Sequence, residues 1–339
     1  MLDIEDRDAL VAYLRTRGVE DAPDVEILHG GVSNRVVLLR WPSGVRWVMK
    51  QALAKLRVPV DWFSSPERID REALALLELA ALGIAVPKLV FHDPEVHVLA
   101  MEAVAEPHRN WKTMLLDGDV RMAHVHEFAG MLAKMHSRSS RGADRLAALF
   151  SDVRFFESLR IEPYYVYTAR QVPEAAAFIH RVIAATRANR VCLVHGDFSP
   201  KNILVREDRL ILLDHEVCHW GDPAFDLGFA LTHLLSKANH LARFRPAFQQ
   251  AATEFWSVYW DAVRQQEWAE PLQQRAVASA LACLLARVDG RSRLEYLAPV
   301  ELARQRLTVL ALLEEVPVAV PTLVDEFVKG LARFEGSTV

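Results

Sequence analysis

Apolar and polar positions along the chain change period several times, and each change marks an element. Residues 4–17 set Leu10, Val11 and Leu14 among charges, which predicts an amphipathic surface helix ending near Gly18, a lid or support without chemistry of its own. Two runs rich in Val, Ile and Leu then flank Gly30-Gly31-Val32-Ser33-Asn34, and a third follows the turn at Pro42-Ser43-Gly44. Three antiparallel strands are expected there. PERIDREALALLELAAL, residues 66–82, has helical spacing and stops at Gly83. The runs 88–91 and 96–101 complete a small sheet, and the polar stretch Ala105-Glu106-Pro107-His108 after Met101-Glu102-Ala103-Val104 reads as a boundary.

Beyond it the pattern is mostly helical. Residues 120–136 carry a stripe of Val125, Phe128, Ala129, Leu132 and Met135; its histidines, His124, His126 and His136, are spread around the helix and read as solvated or capping groups. Another helix is expected over 173–189, and more from about 226 to 338, with Trp256, Trp260 and Trp268 in one segment. No repeat, heptad or low-complexity tract interrupts this. The pattern implies an α+β fold in two lobes: a small antiparallel-sheet lobe over 1–104 and a larger, mainly helical lobe over 105–339.

Composition narrows the function. The 339 residues are 51% hydrophobic and 25% charged, with a formal net charge of -4, so no broad basic face is on offer to nucleic acid. Cys192, Cys218 and Cys283 are widely spaced and form no CxxC pair, which points to a reducing, cytoplasmic setting. The first residues are acidic where a secretory signal would be apolar, and the longest apolar run, 276–286, is too short for a bilayer, so no membrane association is expected.

The chemistry concentrates in VCLVHGDFSPKNILVREDRLILLDHEVCHWGDPAFDLG, residues 191–228. His195, Gly196, Asp197, Asn202, Asp214 and Asp226 lie between short strand-like runs there, and carboxylates so gathered repel unless a cation such as Mg2+ sits among them. Asp197 and Asn202 are five apart in a loop containing Pro200: an Asp to take a proton from a hydroxyl and an Asn oxygen to ligate a hard cation. Asp214, just past a strand end, is the second metal ligand by position. The Gly30-Gly31 turn before Ser33 and Asn34 can bring backbone N–H groups to a phosphate, although such turns commonly just reverse a chain. Lys50, on the third strand, can reach the same anion, and Glu72 can pair with Lys50 if its helix lies on the sheet.

HGDFSPKNIL, followed by a strand and LLDHEVCHWGDPAFDLG, resembles the HxDxxxxN core of the aminoglycoside phosphotransferase, choline kinase and methylthioribose kinase superfamily, which has the protein-kinase-like fold. GGVSNRVVLL, the VMK lysine and REALALLELAALGIAVPKLV agree in order and spacing, so the likeness runs over most of residues 24–235. By that resemblance Asp197 is the catalytic base and Asn202 and Asp214 hold Mg2+. It also implies that Lys50 contacts the phosphates of ATP, or of GTP, with Glu72 as partner. Ser33 and Asn34 would lie at the phosphate loop, Met101, Glu102 and Val104 at the adenine hinge, and Asp226 behind the catalytic loop. The implied activity is phosphate transfer to a hydroxyl of a small sugar-like, methylthioribose-like or aminoglycoside-like molecule.

His215 stands where relatives often carry an aromatic residue, and Glu216 follows it. Arg287, Arg291 and Arg293 suit an anionic or neutral polyhydroxyl acceptor better than a polycation, or are a solvated helix end. Two other readings compete. Asp214, His215, Glu216, Cys218 and His219 are zinc-ligand types that would share a face if helical. A catalytically silent nucleotide-binding pseudokinase would keep the same residues without turnover.

Overall fold

A computed structural model of the chain describes residues 2–29, 31–58 and 61–335. Gly30 of the expected phosphate loop and residues 336–338 of the expected last helix lie outside them. The chain divides into two compact units: Met1–His108 with Ile211–Val217, and Arg109–Leu210 with Cys218–Val339.

The first unit is a five-stranded antiparallel sheet of β1 (Asp24–Ile27), β2 (Asn34–Arg40), β3 (Arg46–Ala52), β4 (Leu89–Asp93) and β5 (Val98–Glu102), in the order β1-β2-β3-β5-β4. Two helices accompany it, α1 (Arg7–Thr16), capped by the Asp6 carboxylate, and α2 (Arg68–Ala81). Strand side chains alternate between faces. Val37, Leu39, Met49, Val98 and Ala100 therefore meet Ile4, Leu10 and Leu14, while Ala52, Leu99 and Met101 meet Ile69 and Leu76 of α2. Lys50, next to Met49, is turned to the α2 side. In α2 the buried stripe Ile69, Glu72, Leu76, Leu79 follows helical spacing, so Glu72 lies among apolar residues facing the sheet.

The second unit begins with β6 (Arg109–Asn110), α3 (Trp111–Leu116), α4 (Met122–Arg141), α5 (Ala143–Leu149) and α6 (Arg154–Phe156). A π-helical stretch, Glu157–Val166, holds Pro163, which has no N–H for a helical ladder. Then come α7 (Tyr167–Gln171), α8 (Pro173–Ala188), β7 (Cys192–Val194), a 3-10 turn at Pro200–Asn202, β8 (Ile203–Arg206) and β9 (Arg209–Leu212), within which the division falls. β10 (His219–Gly221) pairs antiparallel with β7, and β6 with β8. The remainder is α9 (Pro223–His240), α10 (Arg245–Val263), α11 (Leu272–Asp289), α12 (Pro299–Glu314) and α13 (Val320–Arg333).

Nearly every residue of α9 is buried, so it is the central helix, covered by α10 and α11. Gly228 permits this closeness: a Cβ there would lie 2.6 Å from the backbone N of Ala280 on α11.

The solvated or capping reading of the α4 histidines fails for two of three. His124 and His136 are buried, because 124, 128, 132 and 136 share one side of the helix with the apolar stripe. Only His126 is exposed, 3.0 Å from Glu254. Cys192, Cys218 and Cys283 are buried free thiols. Among the described residues no helix is long and apolar enough to cross a membrane.

Candidate active site

In the first unit the strand and helix periods converge on Lys50. Its Nζ lies 2.6 Å from Glu72 Oε1 and 3.0 Å from Asp214 Oδ1. Asp214 follows β9 with φ of 65°, a left-handed conformation unfavourable for a residue with a Cβ. Two residues on, Glu216 Oε2 accepts from Asn34 Nδ2 at 3.1 Å and from Arg68 Nε at 3.0 Å. The wholly buried Arg68 also donates to the carbonyls of Ser33 and of Leu53, the latter at 2.9 Å. One guanidinium thus ties the Ser33-Asn34 turn, the end of β3 and the Asp214–Glu216 segment together.

Charge here is unbalanced. Oxygens of Glu72, Asp214 and Glu216 lie within 4.8 Å of one another around a single ammonium. Burial pulls the Lys50 amine down, but the Asp214 and Glu72 carboxylates outweigh it and hold the group above an ordinary lysine. Burial, together with the Asp214 and Glu216 carboxylates, pushes Glu72 up to about 7 in spite of Lys50. Three carboxylates share two cations: Lys50 serves Glu72 and Asp214, and Arg68 serves Glu216. Glu72 Oε2 and Asn34 Oδ1 are buried and without a hydrogen-bond partner. An all-oxygen, acid-rich donor set with orphaned oxygens fits a hard divalent cation.

The second unit carries the proton-transfer candidate. Asp197 sits in the loop between β7 and the Pro200–Asn202 turn, where Gly196 takes a φ of 77° that suits glycine. Asn202 Nδ2 donates to Asp197 Oδ2 at 2.7 Å and to its carbonyl at 3.0 Å. With the amide nitrogen so used, the amide oxygen is the Asn202 atom of the right type to ligate a hard cation. Arg160 Nη2 is 3.0 Å from Asp197 Oδ2, and Arg160 Nε donates to the Gly196 carbonyl at 2.7 Å. Behind the loop, Asp226 accepts from the His195 and Gly196 amides at 2.7 and 2.8 Å, with His136 Nε2 at 3.2 Å and Tyr259 beyond it. Burial would raise the Asp226 carboxyl, but His136 and these donors hold it below the usual range. The loop is braced from within the protein.

Lys50, Glu72 and Asp214 are therefore brought together in one unit, and Asp197 and Asn202 in the other. Ser33 and Asn34 reach the Asp214 segment through Arg68 and Glu216. Met101 is buried at the end of β5, while Glu102 is exposed beside Lys88 at 3.1 Å and Val104 is half-buried beyond the strand. The zinc reading loses its premise: residues 214–218 are not helical and His219 opens a strand, so no shared helical face exists. Of the three arginines, Arg287 is buried, Arg291 pairs with Glu162 at 3.3 Å, and Arg293 is exposed. Sequence reasoning missed Arg68 and Arg160. Arg68 had a signal, standing one residue from Ile69 at the start of a buried stripe, whereas Arg160, between Leu159 and Ile161, lies in a stretch whose pattern assigns it no face.

The phosphotransferase enzyme family matches residues 24–266. The chain belongs to this family. It is 26% identical over 263 residues to a methylthioribose kinase of Pectobacterium atrosepticum and 27% over 259 residues to one of Citrobacter koseri. These alignments cover 67% and 66% of this chain and 64% of each relative, so the chain spans somewhat less than two thirds of the curated relatives it matches. Among solved structures, an amicoumacin kinase in complex with AMP-PNP, Ca2+ and Ami superposes with a TM-score of 0.59 at 15% identity, over 91% of this chain and 94% of that one. A choline/ethanolamine kinase family protein from Mesorhizobium loti gives 0.52 at 18% identity, over 99% and 96%. The family belongs to the aminoglycoside phosphotransferase and choline kinase superfamily, and the fold is protein-kinase-like, with a sheet-based first unit and a helical second unit.

Proposed function

We propose that this phosphotransferase-family chain is an ATP- and Mg2+-dependent kinase of a small hydroxylated molecule. The observation that carries the reading is Lys50, held at 2.6 Å by Glu72 and 3.0 Å by Asp214 within a cluster richer in carboxylates than in cations. Mg2+ bound by Asp214 and Asn202 would offset the negative charge of a transferring phosphoryl group. Lys50 binds nucleotide phosphate, with Glu72 fixing its ammonium. Ser33 and Asn34 line the phosphate turn, and Met101, Glu102 and Val104 form the adenine strip. Asp197 takes the proton of the acceptor hydroxyl as the acceptor oxygen–phosphorus bond forms and the bond to the ADP leaving group breaks.

Arg160 and Asn202 fix the position of the Asp197 carboxylate, which supports its role as base. The relatives named methylthioribose kinases support a sugar-like acceptor. Silent nucleotide binding is the weaker reading, because base, lysine and carboxylates are all present and held by defined partners.

The test is two-fold. AMP-PNP with Mg2+ should raise the melting temperature, and AMP-PNP with EDTA should do so less. A panel of hydroxylated metabolites should then include one that releases ADP. Absence of any nucleotide-dependent stabilisation would refute the proposal.

A further inference from the structure

The second unit contains a cluster of cations that phosphate transfer from a nucleotide does not require. Arg160, already bound to Asp197, lies with its guanidinium carbon 5.7 Å from the centre of the Tyr164 ring. Arg287 lies 5.4 Å from the same ring and donates to the Tyr164 hydroxyl at 2.8 Å. Lys237, on the central helix α9, is wholly buried with its ammonium 5.3 Å from the centre of the Tyr296 ring, and Lys112 is 5.8 Å from that ring. Side chains thus form two groups, Asp197–Arg160–Tyr164–Arg287 and Lys237–Tyr296–Lys112, with Arg287 near enough to act electrostatically on Lys237 and Tyr296.

The carboxylates nearby are already taken. Asp197 pairs with Arg160, Glu295 with Lys112, and Glu301 with His240. Arg287 and Lys237 have no carboxylate partner among the described residues; their acceptors are the Tyr164 and Ser292 hydroxyls and the carbonyls of Ser292 and His233. The neighbouring His233 is held neutral by burial and by Arg287 and Lys237, and so adds no compensation. Two donors are buried without a partner, Arg287 Nε and the Tyr296 hydroxyl. Uncompensated cations and orphaned donors in a buried region are costly unless an anion completes them.

We propose that Arg287, Lys237 and Tyr296 form a site for an oxyanion, and that the acceptor carries it, as a carboxylate or phosphate group on the same molecule whose hydroxyl meets Asp197. Assigning the anion to the acceptor rests on the kinase reading above. The anion site itself does not.

The experiment measures melting temperature with AMP-PNP and Mg2+ saturating, so that the nucleotide site is filled. Sodium phosphate, sodium acetate, glucose and kanamycin are each added at an ionic strength matched with sodium chloride. Phosphate or acetate should raise the melting temperature by about 2–4 °C over chloride, and the larger of the two names the acid group. Glucose and kanamycin should not. Lys237→Met, which replaces an amine by an apolar chain of similar length and should fold, must lose most of the anion response, and Arg287→Lys must weaken it. The proposal is overturned if neither anion exceeds chloride, if glucose or kanamycin stabilises instead, or if Lys237→Met keeps the full response. The nucleotide shift, read first, judges the kinase reading separately: its absence would count against that reading while the anion result still decides this one.

Discussion

Replacing Lys237 by Met should stabilise the ligand-free second unit, by an amount that depends on pH. The lysine is wholly buried and its ammonium donates one hydrogen bond, to the His233 carbonyl at 3.1 Å. Burial first, then Lys112 and Arg287 against a partial offset from Glu295, lower its amine from 10.5 to about 7. Between those two values the unfolded chain binds the proton and the folded protein does not. Stability therefore rises with pH across that window, and the penalty is fully present below about pH 7. At 1.36 kcal/mol per pH unit the full penalty is about 5 kcal/mol. Losing one hydrogen bond costs about 1 kcal/mol, and Met fills the space of the lysine stem. The net gain should be about 3–4 kcal/mol at pH 6 and close to zero by pH 10. Urea denaturation of both proteins at pH 6, 7.5, 9 and 10 would measure it, with fluorescence of the tryptophans in α10 reporting the second unit. A difference that stays constant with pH, or a variant less stable than the parent at pH 6, would refute the electrostatic reasoning.

Other outcomes follow from the same geometry. If the Asp197 carboxylate acts on the acceptor proton as proposed, Asp197→Asn should lower kcat about 10²–10⁴-fold while the Kd for AMP-PNP with Mg2+ changes less than tenfold, as checked by steady-state kinetics and calorimetry. In Asp214→Ala, by contrast, the Mg2+ dependence of nucleotide binding should flatten; an unchanged dependence counts against its role as ligand. Gly228→Ala gains about 1 kcal/mol of helix propensity but drives a Cβ to 2.6 Å from the α11 backbone, an overpacking cost of about 1–3 kcal/mol, so the melting temperature should fall. Glu72, pushed up to about 7 by burial, is more easily protonated folded than unfolded, so without Mg2+ stability should decline as pH rises from about 4.5 to 7. Added Mg2+ should reduce that decline, which thermal melts at stepped pH would measure.

How far the sequence could be read depended on whether a residue's neighbours share its period. Lys50 and Glu72 were legible because a strand alternates and a helix repeats every 3.6 residues. Once the apolar faces are assigned, both side chains point to the same layer. The HGDFSPKN loop and the Asp214 strand end were legible because turn residues and β-branched runs bound them. His136 was misread because only its chemistry was weighed; its place on the α4 stripe, four residues past Leu132, demanded burial and a partner, which Asp226 and Tyr259 supply. Arg160 was out of reach for another reason: its π-helical stretch has neither a helical nor a strand period, so no face could be assigned to it. The return of Ile211–Val217 to the first unit leaves no mark in composition, since a local pattern records which face a residue shows and not which core receives it.

The two units err in opposite directions in their charge, and that asymmetry constrains what each binds. In the first, oxygens of Glu72, Asp214 and Glu216 crowd around Lys50 while Arg68 is committed to Glu216 and three surrounding segments. In the second, Arg287 and Lys237 are buried with neutral acceptors only. Solvent relieves neither imbalance fully, because every one of these groups except the half-buried Asp214 is buried, so a ligand of opposite sign would offset each when bound. As proposed, a divalent cation would do so for the first and an oxyanion for the second. A polycationic acceptor would add charge beside Lys237 and Arg287. Mg2+ should therefore stabilise the parent with Glu72 intact and have little effect in Glu72→Gln combined with Asp214→Asn, while phosphate or acetate should still act on that double variant. If one ligand's effect vanished with the other's residues, the two imbalances would not be separate sites, and the division of roles argued for the units would fail.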